Sequence, residues 1–276
     1  MINSRFNLSK NTALITGSAG LLGFQHAAAL LECDCNVILT DISKESLEKT
    51  SFDLKKEFRN STILTYPMDV TNSESIKNIS EKLISQNINI NILINNAALN
   101  PKVESNLNNN NPTKFENLSK KQWDKELEVG LTGAFLCSQV FGQEMAKLKK
   151  GVILNVASDL SVIAPDQRIY KKNNNSSLEQ FYKPATYSAI KTGLVGLTKY
   201  IATYWSEEGI RCNAISPGGV FNNQDREFIS KVEQLIPMGR MARKEEYRSA
   251  IQFLCSDASS YMTGFNMVID GGRHIW

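Results

Sequence analysis

No stretch of this 276-residue chain approaches the ~18 consecutive apolar residues that a membrane-spanning helix needs. Its first residues, Met1-Ile2-Asn3-Ser4-Arg5, lack the apolar run of a secretory signal. Cysteine is scarce and scattered: Cys33, Cys35, Cys137, Cys212 and Cys255. An odd, dispersed set is neither a disulfide framework nor a metal site, and only Cys33 and Cys35 stand close together. Charge of one sign is lacking too. Lys plus Arg is 31 against 28 for Asp plus Glu, a net of +3. That excludes the basic stripe of a dedicated nucleic-acid or membrane-surface binder. There is no internal repeat and no clear domain linker. These absences predict reduced, buried thiols, no metal, no nucleic-acid or membrane partner, and a soluble cytoplasmic protein.

What the chain has is alternation. Short apolar runs at Thr12–Thr16, Asn36–Thr40, Thr62–Tyr66, Ile90–Ile94, Gly151–Ala157, Arg211–Ile215 and Phe265–Ile269 read as buried strands. Between them lie helical patterns at Leu21–Leu31, Ser43–Phe58, Ser73–Ile84, Lys120–Leu148, Ala185–Trp205 and Lys244–Leu254. The long fourth helix should bend near Gly130 or Gly133. Such an order gives βαβ units with right-handed crossovers. The expected fold is α/β: a doubly wound, parallel, seven-stranded Rossmann-type sheet in a single domain spanning 1–276. Two segments interrupt the order, an asparagine-rich stretch at Asn100–Pro112 and another at Ala164–Pro184. Both follow strands, where a parallel sheet places its ligand crevice.

The first strand runs into Thr16-Gly17-Ser18-Ala19-Gly20-Leu21-Leu22-Gly23. A strand-to-helix turn needs positive φ at one position and no side chain where a pyrophosphate approaches. The helix N-terminus then offers free N–H groups and partial positive charge. Asp41 ends the second strand, close to the ~20-residue spacing at which an acidic residue bonds the adenosine ribose. Its charge would repel the 2′-phosphate of NADP, and no basic residue stands in the turn or at position 42 to offset it. NAD is the expected cofactor; a cap ahead of Ser43 is the alternative role for Asp41.

Tyr187 and Lys191 stand at i and i+4 in Tyr187-Ser188-Ala189-Ile190-Lys191, on one face of a helix. A nearby ammonium favours a phenolate, so this pair can move protons. Ser158 follows the fifth strand and can donate to a substrate oxygen. Ser161 is its rival for that role.

With these residues the sequence resembles the short-chain dehydrogenase/reductase family along nearly its whole length. The likeness adds Asp69-Val70, Asn95-Asn96-Ala97-Ala98, Ser216-Pro217-Gly218-Gly219-Val220 and the terminal Ile269-Asp270-Gly271-Gly272. It implies hydride transfer between NAD(H) and a carbonyl/alcohol pair. Ser158 would orient the carbonyl, Tyr187 act as acid/base, and Lys191 hold the ribose and tune Tyr187. Gly17, Gly20, Leu22, Gly23, Asp41, Asp69, Val70, Asn96, Ala97, Pro217, Gly218 and Val220 would bind the cofactor, with Asn95 beside them. The chain departs from the family at three places. The glycines are spaced G-x-x-G-x-x-G, the fourth-strand motif ends in Ala98, and Gly130 stands where many members carry an asparagine that helps a water chain to the lysine.

The segment 159–184 is longer than is usual in the family and lies where a substrate docks. Arg168, with Lys171, Lys172 or Lys183, could bind a phosphate or carboxylate, and Asp166 and Gln167 could bond hydroxyls. A sugar, amino sugar or sugar phosphate is the expected substrate. The insert and Gly130 also resemble dehydrogenases of flagellin-glycosylation and legionaminic-type sugar pathways. A second flexible region, 218–237, could fold over substrate as a lid. By analogy with the family a homodimer or homotetramer is expected. The alternatives are a nucleotide-sensing or scaffold protein that lost turnover, and a sugar epimerase using NAD transiently.

Overall fold

The computed structural model describes residues 4–99, 111–171 and 180–276. Most of the asparagine-rich stretch at 100–112, and Lys172 with the asparagines at 173–175, lie outside them. Seven strands form one parallel sheet: β1 (Thr12–Thr16), β2 (Asn36–Asp41), β3 (Ile63–Pro67), β4 (Ile92–Asn95), β5 (Gly151–Val156), β6 (Ile210–Pro217) and β7 (Asn266–Ile269). Their spatial order is β3-β2-β1-β4-β5-β6-β7. All seven expected strands are present and parallel, within three residues at each end. Their Val, Ile and Leu runs are buried because helices cover both faces.

The helices are α1 (Leu21–Leu31), α2 (Lys44–Glu57), α3 (Ser73–Ser85), α4 (Lys120–Leu127), α5 (Gly133–Lys147), α6 (Ala185–Tyr204), α7 (Arg226–Glu233) and α8 (Arg248–Cys255). Ser43 caps α2 through Ser46 N–H, as its hydroxyl and position suggest. Between α4 and α5 the chain runs as a π-helix over Glu128–Thr132. This is the bend expected near Gly130 or Gly133. Such bulges widen a helix locally and recur at functional sites. No helix among the described residues is long and apolar enough to cross a membrane.

The core falls into two main layers. On one side α1 and α8 pack with Ala27, Leu30, Leu31, Ile251 and Leu254 against the sheet. On the other, Cys137, Phe141 and Met145 of α5 meet Ile153 and Leu93. All five cysteines are buried free thiols, and burial raises each of their pKa values.

Two regions differ from the sequence reading. The region 218–237 is not purely loop: Asp225 caps α7, accepting from the N–H groups of Glu227 and Phe228. And this region is packed on the 159–184 insert. Ile169 and Tyr170 from the insert contact Val232, Ile236, Met241 and Phe228. Insert and expected lid are one small hydrophobic unit at the C-terminal edge of the sheet.

Candidate active site

The C-terminal ends of β1, β2, β4, β5 and β6 open onto one cleft of ≈ 1280 Å³. Its floor is the glycine turn. Gly17 sits at φ +59°, and a Cβ there would lie 2.8 Å from the Ala97 Cα. A Cβ at Gly23 would lie 2.4 Å from the Gly17 carbonyl oxygen, so only glycine lets α1 rise this close to the turn. Gly20, the N-cap residue of α1, supplies no side-chain cap. The first amides of that helix therefore have no side-chain acceptor from the cap and suit an anionic group.

Asp41 lines the cleft at the end of β2. Its carboxylate accepts from Ala19 N–H at 3.2 Å and Ser43 N–H at 3.2 Å. It braces the start of α2 and presents an acid beside the glycine turn. Asn96 also lines the cleft and clamps the turn, its amide donating to the carbonyls of Thr16 and Gly17. Ala97 lies behind it, its N–H donating to Thr16 Oγ1. Leu22, Pro217, Gly218 and Val220 face the cleft as expected.

Besides Ala97, three more of the positions expected beside the cofactor are outside the cleft lining. Asn95 points into the core, donating to Ser138 Oγ (2.9 Å) and Asn155 Oδ1 (2.8 Å), because β4 alternates its side chains and 95 falls on the inner face. Asp69 binds back to Thr71, and Val70 packs beside Gly133; both stand next to the cleft rather than in its wall.

On the opposite wall β5 ends at Val156, and Ala157 continues to Ser158, whose Oγ lies in the cleft. Ser161 is out of contention: its hydroxyl shares a hydrogen bond with Ser216 Oγ at 3.0 Å. Pro184 is the N-cap of α6, with extended backbone at φ −60° and ψ 146°. Tyr187 and Lys191 follow one turn apart and both line the cleft with Ser158. Lys191 is buried and donates to the Val156 carbonyl at 2.7 Å.

The electrostatics differ from the simple picture of a lysine acidifying its tyrosine. Burial dominates and raises the Tyr187 phenol above its ordinary pKa; a hydrogen bond with Ser158 opposes this and the Asp159 carboxylate reinforces it. Burial, and then the charge of Lys183, bring Lys191 down to about 8. The ammonium nearest the Tyr187 ring is Lys183, 3.7 Å from its centroid, against 5.7 Å for Lys191. Burial lowers Lys183 to about 8 as well.

Arg168 does not face the cleft. Its side chain is 88% exposed and forms a two-pronged pair with Asp166, two residues earlier, at 2.7 and 2.9 Å. The turn over Gln167–Tyr170 aims it at solvent, so the substrate role expected for it is not met by this placement. Arg168→Ala is expected to change KM less than twofold for charged and neutral substrates alike, measured by initial rates; a selective rise for an anionic substrate would restore the role. The cations that do line the cleft are Lys171, Lys183, Lys191, Lys231 and Arg273. Arg273 and Asp159 are cleft-lining side chains that sequence reasoning did not single out. They form an ion pair at 2.9 Å behind Ser158.

A hydroxyl, a phenol and a buried ammonium around one cleft, beside a glycine turn built for phosphates, can bind a dinucleotide and move a proton at a substrate oxygen. The family profile described as enoyl-(acyl carrier protein) reductase matches residues 17–274. An NAD-dependent glycerol dehydrogenase of Listeria innocua is 32% identical, with 98% of this chain and 96% of the relative covered. A D-threitol dehydrogenase of Mycolicibacterium smegmatis is 29% identical over 98% of this chain and 95% of its own. Among solved structures, a short-chain dehydrogenase of Leptospira borgpetersenii with bound NAD+ superposes with a TM-score of 0.81 at 31% identity, covering 99% of this chain and 96% of the other. The chain belongs to the short-chain dehydrogenase/reductase family and is an oxidoreductase on a single Rossmann-type domain.

Proposed function

We propose that this enzyme is an NAD-dependent dehydrogenase that interconverts an alcohol and a carbonyl on a polyhydroxylated substrate, with a neutral polyol as the favoured class. The observation that carries the reading is the convergence of Ser158, Tyr187 and Lys191 on the cleft that begins at the glycine turn. The nicotinamide cofactor would supply the hydride acceptor or donor. Gly17, Gly20, Leu22 and Gly23 would hold its pyrophosphate, Asp41 its adenosine ribose, Lys191 its other ribose, and Pro217, Gly218 and Val220 its nicotinamide end. Ser158 orients the reacting oxygen, and Tyr187 takes or gives the proton.

Two features support a neutral polyol over a sugar phosphate. The glycerol and threitol dehydrogenases among the relatives act on such compounds. And three of the cations near the insert are already matched with acids: Arg168 with Asp166, Lys231 with Glu227 and Arg273 with Asp159. An amino sugar, such as those of flagellin-glycosylation or legionaminic-type pathways, is the second reading.

The test is NADH formation, followed by absorbance, with glycerol, D-threitol, gluconate, a sugar phosphate and an amino sugar as substrates. Turnover highest with the polyols supports the proposal; none with any substrate overturns it. Asp41→Ala should weaken NAD binding about tenfold, the loss of one hydrogen-bonded charge contact, and narrow the preference for NAD over NADP. Equal preference in wild type and variant would reduce Asp41 to a brace for α2.

A further inference from the structure

The chain turns back on itself after β7. Asp270 accepts from the N–H groups of Gly272 (3.0 Å) and His274 (2.8 Å), and its carboxylate pairs with the His274 ring at 2.9 Å. Gly271 and Gly272 adopt φ of +68° and +90°, and a Cβ at Gly271 would lie 2.7 Å from Ile236 Cγ2. Side chains are strained at such φ, so the double glycine is what makes the reversal possible. The reversal sends Arg273 under the cleft, where Nη1 meets Asp159 Oδ2 at 2.9 Å. The two side chains are only 9% and 4% exposed. The second oxygen of Asp159 accepts from the Ser158 hydroxyl at 2.8 Å and from Leu160 N–H at 2.9 Å.

We propose that Arg273 is a positioning residue of the active site, acting through the Asp159 carboxylate to set how firmly the Ser158 hydroxyl is held and what charge Tyr187 meets. The inference rests on Tyr187 being the acid/base of the proposed reaction. In the geometry above, the Ser158 proton points at Asp159, so Asp159 competes with the substrate oxygen for it. Arg273 draws on the same carboxylate and weakens that hold. It also cancels a negative charge that would otherwise stand beside Tyr187. A buried carboxylate stripped of its partner is costly and acts strongly on its neighbours.

Among the described residues, other charged and titratable groups act on Tyr187, Asp159 and Arg273, with Asp166 and Tyr170 acting on Arg273. Lys183 and Lys191 lie toward the Tyr187 ring, and Tyr170 lies near it. Lys183, Tyr170 and Tyr247 face Asp159, and Glu126 acts on Lys183 from α4. Beside burial, Asp159 is the charge that raises the Tyr187 transition, and Arg273 sets how much of that charge is felt.

The test is a titration of tyrosinate absorbance with saturating NAD+, taking for each protein the difference from the same protein carrying Tyr187→Phe. Arg273→Met should move the Tyr187 transition up by about one pH unit, the effect of one uncompensated charge at this range. Asp159→Asn should move it down. The double variant Arg273→Met/Asp159→Asn should return near wild type, and Arg273→Lys should keep most of the wild-type position. With glycerol as substrate, Arg273→Met should lower kcat more than tenfold near neutrality with little change in KM, and the alkaline shift should appear in its pH profile. Should Arg273→Met not fold, Asp159→Asn and the double variant carry the same comparison. Single variants that leave the transition in place, or shift it the same way, overturn the proposal. The titration needs no turnover, so loss of the polyol reading and loss of this one are separate results.

Discussion

Tyr187→Phe is expected to lower kcat by roughly 10³-fold or more, in the range that a positioned proton-transfer group contributes, while NAD affinity changes less than twofold. The change deletes one oxygen and keeps the ring. Lys183 still lies over that ring, Lys191 still donates to the Val156 carbonyl, and the glycine turn is untouched. What is lost is the only phenol that shares the cleft with Ser158 on α6. NADH production from glycerol or D-threitol measures the first effect, and quenching or enhancement of NADH fluorescence on binding measures the second. The oxidation rate of the wild type should rise with pH, because the base form of a buried phenol becomes populated only as pH increases. A Tyr187→Phe enzyme that retains its rate would move the proton chemistry to another residue.

Gly130→Asn, which installs the side chain that the family resemblance implies at this position, is expected to destabilise the fold by about 2–4 kcal/mol, combining overpacking with a buried amide lacking partners. Gly130 is buried in the π-helical turn, and a Cβ there would lie 2.8 Å from Ile190 Cγ2 and 3.2 Å from Cδ1. Ile190 is branched at Cβ and stiff, is itself buried, and packs against Ala134 and Leu194. It also stands directly before Lys191, so the strain falls on the helix that carries the catalytic pair. Thermal unfolding should show a melting point lower by roughly 5–10 °C for a chain of this size. Adding Ile190→Ser should recover a large part of the loss, because the two positions share one space and their effects cannot add. A Gly130→Asn protein that melts with wild type would mean the helix shifts freely at the π-turn. Glycine at 130 and isoleucine at 190 are thus two halves of one packing solution, and the Ile190 side chain occupies the space that a side chain at 130 would enter.

Much of the fold was legible because buried parallel strands write themselves as short Val, Ile and Leu runs, and the seven runs need no partner to be recognised. The glycine turn was legible because its requirement is local, a backbone with no side chains where α1 meets β1. The Tyr187–Lys191 spacing was legible for the same reason. What depends on tertiary placement was not. Arg168 reads as a substrate cation until Asp166, two residues away, is seen to hold it toward solvent. Arg273 reads as nothing until the Gly271-Gly272 reversal carries it to Asp159. Asn95 belongs to a motif that faces the cleft, yet the alternation of β4 turns it inward to Ser138 and Asn155. Asp225 is an ordinary capping residue, but α7 behind it was obscured by the glycine and asparagine around 218–223. The direction of the Tyr187 shift was missed because a helical spacing reports proximity to an ammonium and not the depth of burial that outweighs it.

The packing of α1 against α8 has a consequence for how the molecule is made. Arg248 donates to Gln25 at 2.8 Å and pairs with Glu32 at 2.5 Å, and Gln252 reaches Glu32 at 2.6 Å. The helix that begins the nucleotide turn is therefore sealed by a helix more than two hundred residues downstream. A ribosome that has released only β1 through β5 holds an α1 whose apolar face is still wet. Cofactor capture should then be a late event of synthesis, and amides in α1 and α8 should exchange their hydrogens together, as one cooperative unit, in spite of their separation along the chain.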